Sequence, residues 1–460
     1  MLKVRNILFI LFGLLALRLG LMAFAPVFDM SESRYAALSA NMARTGDFVV
    51  PHFTYQGHYQ SFDGKPPLVF QAGGAVCRVL GTEHPVALQF AVRVCPFLSA
   101  LLLLAILFYG LKRLADAETA FLAVAICATS AVFFSASGIC MTDMTLTCAA
   151  AGALILYRCF VAAHRLRYAF GVTALLGIGM ITKGPVALVL FGLPVFVDAC
   201  VNRRWRSVFT WEWLVAAPVF FLVAVPWFVL VEQRNPGSVL YFFYNENFLR
   251  FVKHDYGDKY GEAREAFRGV AILWALVATL PWSLVPLAEG LRGLWIKGVK
   301  GFRAGGFKGR ADFFVLAVLS IVGFWCLTSR VLLYYLFPVI PLFAATLALK
   351  GDRKLLWKLV PWAAGVSALV LVGALAGGWV FSTKMQGAKA PQTYGFNGYS
   401  HEFYHGTNPR CRTERGVSIK DWQYDSWMSS EEGRAWLKTP QGQRWLNQPE
   451  IQQWMKEWAK

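Results

Sequence analysis

Apolar residues in this chain come in long blocks, not in the two-residue alternation of a half-buried strand. Blocks of about 17–25 residues recur along most of the sequence, and that is the length a helix needs to cross the hydrocarbon core of a bilayer. Read this way, spans are predicted at about 7–25, 88–110, 119–137, 144–161, 168–182, 185–200, 211–231, 270–291, 312–328, 332–349 and 359–381. A backbone in lipid must satisfy its own hydrogen bonds. The expected fold class is therefore an all-α polytopic membrane protein with about eleven transmembrane helices.

Between the first two blocks lies a long mixed loop, 26–86. Two amphipathic stretches within it, Glu32–Arg44 and Pro67–Leu80, are predicted as juxtamembrane helices, the second lying on the membrane surface. The first apolar block could be read as a signal peptide. Its length and the lack of a clean small-residue cleavage site favour a retained span. Basic residues then fall in alternate loops: Lys112-Arg113, Arg165 with Arg167, Arg203 with Arg204 and Arg206, the stretch 292–310, and Lys350–Lys358. All land on the side of the N-terminus, which the positive-inside rule makes cytoplasmic. The domains expected are a transmembrane region, 1–383, and a small polar outward-facing tail, 384–460. No internal repeat is evident, which weakens an inverted-repeat transporter.

Composition supports the same class. The chain is 57% hydrophobic and only 16% charged, against about 25% charged for a soluble protein. The formal charge of +18 would suggest nucleic acid in a soluble chain. Here the basic residues sit in short loops, and no basic face is interleaved with aromatics, so nucleic acid is excluded as a partner. None of the nine cysteines forms a CxxC pair, and they read as small buried hydrophobes.

Ionisable groups gather in the segments facing away from the N-terminal side. The first loop carries Asp29, Glu32, Arg34, Tyr35, His52, His58, Asp63 and Lys65. A later loop carries Glu246, Arg250, Lys253 and His254, and Arg330 precedes Tyr334-Tyr335. Asp143 and Lys183 stand out because apolar residues flank each on both sides, and an ionisable group at membrane depth is a functional candidate by default. The bland reading of both is an interfacial side chain snorkelling to water. The two histidines lack further ligand spacing, so no metal or other cofactor is expected, although a divalent ion is not ruled out. Carboxylates and cations on one face of a lipid-embedded bundle suit a substrate with a lipid tail and a phosphate head. Cations would hold the phosphate, and a carboxylate would orient or deprotonate an acceptor.

Short segments in order carry a family resemblance. They are Ser31-Glu-Ser-Arg-Tyr-Ala-Ala-Leu, Asn41-Met-Ala-Arg-Thr-Gly-Asp, Phe62-Asp-Gly-Lys-Pro-Pro-Leu, Met141-Thr-Asp-Met, Thr182-Lys-Gly-Pro, Tyr244-Asn-Glu-Asn-Phe-Leu-Arg-Phe and Ser329-Arg-Val-Leu-Leu-Tyr-Tyr-Leu-Phe-Pro. Over about residues 5–350 the chain resembles the bacterial aminoarabinose transferase and protein O-mannosyltransferase superfamily, membrane glycosyltransferases of the GT-C type. The resemblance implies transfer of a sugar from a polyprenyl-phosphate carrier to a lipid, glycan or protein acceptor, with inversion. It implies a bacterial inner membrane with the chemistry and the C-terminal tail on the periplasmic face. The expected catalytic residues are Asp143, Glu32 and Asp29. The expected substrate-binding residues are Arg34, Tyr35, Asp63, Lys65, Lys183, Arg250, Arg330 and Tyr335. The family's first-loop aspartate is replaced by Ser31 and its late lysine is missing, with Arg330 standing nearby. The base is then Asp29 or Glu32, or the acceptor is itself anionic and needs none. A lipid-linked-sugar flippase and a catalytically degenerate homologue are the alternative readings.

Overall fold

The computed structural model describes residues 4–27, 31–55, 58–82, 84–249, 266–290 and 312–386, and Lys438, Pro440, Gln443 and Asn447 in the tail. Asp29, Arg250, Lys253, His254 and most of the tail expected over 384–460 lie outside the described residues.

The chain is a helical multi-pass membrane protein. Its helices are α1 (Val4–Phe24), α2 (Ser31–Thr45), α3 (Leu68–Leu80), α4 (Pro85–Leu114), α5 (Ala117–Ala128), α6 (Ala131–Ala136), α7 (Thr142–Ala163), α8 (Leu166–Lys183) and α9 (Val186–Asn202). They continue with α10 (Trp211–Arg234), α11 (Val270–Ala278), α12 (Phe313–Cys326), α13 (Val339–Lys350) and α14 (Arg353–Gln386). Among the described residues, five helices are long and apolar enough to cross a membrane by length and composition: α1, α4, α7, α10 and the first part of α14. Five further apolar helices are shorter, at 10–17 residues.

Three predicted spans are broken. The run 119–137 divides at Thr129-Ser130 into α5 and α6. Thr129 Oγ1 donates back to the carbonyl of Ala125, and Ser130 Oγ to that of Ile126. Trp282 Nε1 donates to Thr129 Oγ1, Ser367 Oγ to the Thr129 carbonyl, and the Ala131 N–H to the Leu280 carbonyl. The groups freed by the break are thus re-satisfied inside the protein, as lipid demands. The run 270–291 ends its first helix at Ala278, ahead of Pro281, which has no N–H to continue it. In 332–349, Pro338 separates a 3-10 turn, Leu333–Leu336, from α13.

Two compact units divide the chain. The first comprises residues 1–22, 64–69 and 95–374. Its central element is α7, buried nearly all round from Thr142 to Phe160, whereas α10 exposes most of its apolar side chains. A helix that buries every face belongs at the middle of a bundle. α7 packs on α8 and α9, α8 on α10, and α12 on α9 and α13.

The second unit comprises residues 23–63, 70–94 and 375–460. It holds α2 and an antiparallel hairpin, β1 (His52–Tyr55) with β2 (His58–Ser61), in which His52 pairs with Ser61. The sequence reading did not anticipate this hairpin. Asn41 Nδ2 donates to the His52 carbonyl, and Asp47 Oδ1 accepts the N–H groups of Val49 and Val50 in the turn before it. In α2, Glu32, Ser33 and the run Tyr35 to Met42 are buried. A Cβ at Gly74 would lie 2.8 Å from the Ser39 carbonyl oxygen, so only glycine lets α3 approach α2 this closely. Tyr35, Phe53, Phe62 and Phe70 form an aromatic core, with the Tyr35 and Phe70 rings stacked at 5.3 Å.

Candidate active site

A tight turn through His164 and Arg165 makes α7 and α8 antiparallel neighbours, which brings the start of α7 beside the end of α8. Asp143 lies in the first turn of α7 and Lys183 in the last turn of α8. Each charge complements its own helix end, an anion at the N-terminus and a cation at the C-terminus. Lys183 Nζ donates directly to Asp143 Oδ1. The pair is nearly sealed, with side-chain exposures of 12% for Lys183 and 1% for Asp143, so each charge depends on the other for compensation.

The turn after Lys183 is fixed by Gly184, whose φ of +81° favours glycine and whose added Cβ would meet the Phe242 ring at 2.4 Å. The 3-10 turn supplies two aromatic faces. Lys183 Nζ sits 4.6 Å from the Tyr335 ring centroid and 5.5 Å from that of Tyr334, within range of a cation–π attraction. Tyr335 in turn packs on Trp325 at 4.7 Å. Only one oxygen of Asp143 is engaged: Oδ2 is buried and has no hydrogen-bond partner among the described residues, and the same is true of Thr142 Oγ1 beside it. A buried carboxylate oxygen without a donor is costly, and in a native fold it points to a missing partner.

Lys65 and Arg330 belong to the same unit and are half-buried. The Arg330 N–H donates to Thr328 Oγ1, and the Ser329 carbonyl accepts from Ala266.

The first-loop residues up to Asp63 belong to the second unit. Glu32 forms a buried ion pair there. Arg93 Nε donates to Glu32 Oε1 at 2.8 Å, Nη1 to the Ala25 carbonyl at 2.6 Å, and Nη2 to the Pro26 carbonyl at 2.9 Å. Arg93 thereby ties the end of the first span to the start of α2. Arg34 lies over the Tyr35 and Phe62 rings at 5.3 and 5.8 Å. Tyr35 is 1% exposed, its ring part of the aromatic core. Asp63 Oδ2 accepts from Ser61 Oγ. His52 Nδ1 is 2.9 Å from the Val50 carbonyl, so one ring nitrogen is already engaged. No group of three or more His, Cys, Asp or Glu that could hold a metal occurs among the described residues.

Among the described residues, the buried ionic groups that the sequence reading passed over include Arg18, Arg93, Asp198 and Glu212. Arg93 sits inside a predicted span, flanked by Val92 and Val94, and that position alone was signal enough. Asp198, fully buried in α9, accepts from Asn202 Nδ2 at 2.7 Å and Arg204 Nη1 at 3.0 Å. The spacing that carries this clamp ends in a left-handed Arg203, φ 55°, and reads in sequence only as a basic loop.

Comparison with known proteins fits this architecture. Residues 65–229 match the profile of the dolichyl-phosphate-mannose-protein mannosyltransferase family. An undecaprenyl phosphate-alpha-4-amino-4-deoxy-L-arabinose arabinosyl transferase of Aeromonas hydrophila is 25% identical over 397 residues, 82% of this chain and 67% of the relative. The enzyme of the same name from Edwardsiella ictaluri is 28% identical over 57% of this chain and 46% of its own length. The crystal structure of ArnT from Cupriavidus metallidurans bound to undecaprenyl phosphate superposes with a TM-score of 0.61 at 20% identity, covering 87% of this chain and 70% of that one. The chain shares the fold of that structure. It spans about half to two thirds of the length of the curated GT-C relatives it matches. Asp143 and Lys183 fall inside the segment that matches the mannosyltransferase profile, while Glu32 and Tyr335 fall outside it.

Proposed function

We propose that the chain is an integral-membrane glycosyltransferase that moves a sugar from a polyprenyl-phosphate carrier to a lipid, glycan or protein acceptor. The relatives' names suggest an undecaprenyl-phosphate-linked pentose such as 4-amino-4-deoxy-arabinose as donor. The observation that carries the reading is the buried Asp143–Lys183 pair with one carboxylate oxygen left over.

In this mechanism an acceptor oxygen attacks the anomeric carbon in line with the departing phosphate. The new C–O bond forms as the sugar–phosphate bond breaks, and polyprenyl phosphate leaves, so the anomeric configuration inverts. The acceptor's proton passes to a carboxylate, or is absent when the acceptor is already anionic. Lys183 is the firmest cation for the growing charge on the leaving phosphate, with Lys65, Arg34, Arg250 and Arg330 as further phosphate ligands. Asp143 holds Lys183 through Oδ1 and offers Oδ2 to the sugar or the acceptor. Asp63 and Tyr335 are further substrate-binding residues in this reading. Glu32 is occupied by Arg93, which favours Asp29 as the second acid–base group. The reaction face is periplasmic, with the N-terminus in the cytoplasm, residues 1–383 as the membrane domain and 384–460 as an outward tail of a bacterial inner-membrane protein.

The test is transfer of radiolabelled sugar from a purified polyprenyl-phosphate donor by the full chain in vesicles. Wild type should incorporate label, and Asp143→Asn should fall by about 10²–10⁴-fold. Equal rates for the two would remove Asp143 from the chemistry. Absence of transfer by folded wild type to lipid, glycan and protein acceptors alike would remove the enzyme reading.

A further inference from the structure

A cavity lies in the first unit, and neither Asp143 nor Lys183 lines it. It is a groove of about 700 Å³ between α1 on one side and α4, α5 and α6 on the other. Its walls are aliphatic and aromatic, among them Leu8, Leu11, Leu15, Leu101, Leu104 and Val124, and its polar lining residues are Arg5, Arg18 and Ser137. The two arginines mark its ends. Thirteen residues along α1 separate them, about 20 Å at a 1.5 Å rise.

The ends differ. Arg18 is 3% exposed; its Nη2 donates to the Ser135 carbonyl and its guanidinium packs where a Cβ at Gly138 would sit. It closes the groove. Arg5 is exposed and makes no hydrogen bond or ion pair among the described residues. It stands in the first turn of α1, at one end of the candidate span Arg5–Phe24. Phe9 and Phe12, 67% and 68% exposed, border the opening between the ends.

We propose that this groove binds one acyl chain of an anionic glycerophospholipid, with the headgroup phosphate held by Arg5 and the chain running toward Arg18. Length supports one chain: a single leaflet contributes about half of a core roughly 30 Å thick, which the groove accommodates. Volume supports it too, since cavities of roughly 300–1,000 Å³ are the size that enclose small ligands. Charge selects the headgroup: a basic side chain at the membrane surface favours anionic over zwitterionic lipid by about fivefold. The occupant is a bilayer phospholipid and not the sugar carrier, because neither Asp143, Lys183 nor their aromatic neighbours Tyr334 and Tyr335 line the groove. The proposal does not rest on the glycosyltransferase reading, and its readout is independent of sugar transfer.

The test is native mass spectrometry of the full chain released from nanodiscs of equal phosphatidylglycerol and phosphatidylcholine. Wild type should retain one phosphatidylglycerol, about fivefold over phosphatidylcholine. Leu8→Trp and Leu101→Trp fill the groove from opposite walls, and either should abolish retention at an unchanged melting temperature. Arg5→Gln should keep a bound lipid while the preference collapses to parity, and this ratio decides the question if neither tryptophan variant folds. The proposal is overturned if both folded tryptophan variants keep the lipid, if wild type binds the two lipids equally, or if an isoprenoid phosphate added to the nanodiscs displaces the phospholipid stoichiometrically.

Discussion

Among the described residues, each unit contains one buried carboxylate–cation pair that joins distant segments, and the two pairs are built differently. In the second unit, Arg93 spends three nitrogens, one on Glu32 and two on the carbonyls of Ala25 and Pro26. Its planar fork is matched donor by acceptor, which is what an arginine in a structural clamp achieves. In the first unit, Lys183 is a point charge on a flexible stem, held by one oxygen of Asp143 and by two aromatic faces. The other oxygen is buried without a partner among the described residues. The lesson is that burial of an ion pair does not by itself mark a reaction centre. What separates them is whether hydrogen-bonding capacity is left unspent.

Four substitutions probe that difference. The largest effect belongs to Lys183→Met. It leaves Asp143 buried and uncompensated, which costs about 3–5 kcal/mol, and it removes the cation proposed to hold the leaving phosphate. Sugar transfer by the protein that remains folded should fall at least about 10²-fold; a rate within threefold of wild type would place the phosphate elsewhere.

Arg93→Met should destabilise by a similar 3–5 kcal/mol, because Glu32 is then a buried charge without its partner. Here the double replacement with Glu32→Leu should restore most of the melting temperature. If the double variant melts no higher than Arg93→Met, the pair is not the clamp described.

Tyr335→Ala should weaken donor binding by about tenfold, since a desolvated cation–π contact is worth up to about 2 kcal/mol, whereas Tyr335→Phe should retain most of it. An assay of KM for the donor distinguishes the two. The loss of Tyr335→Ala should appear in KM more than in kcat.

Asp116 gives the smallest effect. It caps α5, accepting the Thr119 N–H, and Arg353 Nη2 donates to it from α14. The Thr119 backbone N–H, followed by the Thr119 hydroxyl and then Arg353, holds its carboxyl below the usual carboxylate range. A carboxylate with a lowered folded-state pKa stabilises above its unfolded pKa, and that stabilisation is lost as pH falls through the folded value. Asp116→Asn should therefore lower the melting temperature slightly near neutral pH and not at all in strong acid. Transfer activity should be unchanged at either pH.

Much of the bundle was legible in the sequence because lipid imposes long apolar blocks. α1, α4, α7 and α10 lie within a few residues of the predicted spans. Asp143 and Lys183 were legible for the same reason, as charges flanked by apolar residues. Their pairing was not, since it depends on the antiparallel turn at His164. The kink at Thr129 was hidden because the donors that make it tolerable, Trp282 and Ser367, are 153 and 238 residues away. The hairpin at 52–61 was missed because four-residue strands carry little periodic signal. Tyr335 was picked out from its motif, but its place under the Lys183 ammonium depends on the stop at Pro338. Arg93 escaped notice because a span was read as a block and not residue by residue.

The account rests on one pair being reactive and the other structural, so the sharpest measurement compares their neutral replacements in one assay. Glu32→Leu with Arg93→Met and Asp143→Asn with Lys183→Met each remove a buried pair without leaving a lone charge. Both double variants should remain folded. In vesicles with a radiolabelled polyprenyl-phosphate sugar, the first should keep kcat/KM within about tenfold of wild type, and the second should lose it by about 10²–10⁴-fold. A folded second variant that transfers sugar as well as the first would contradict the account.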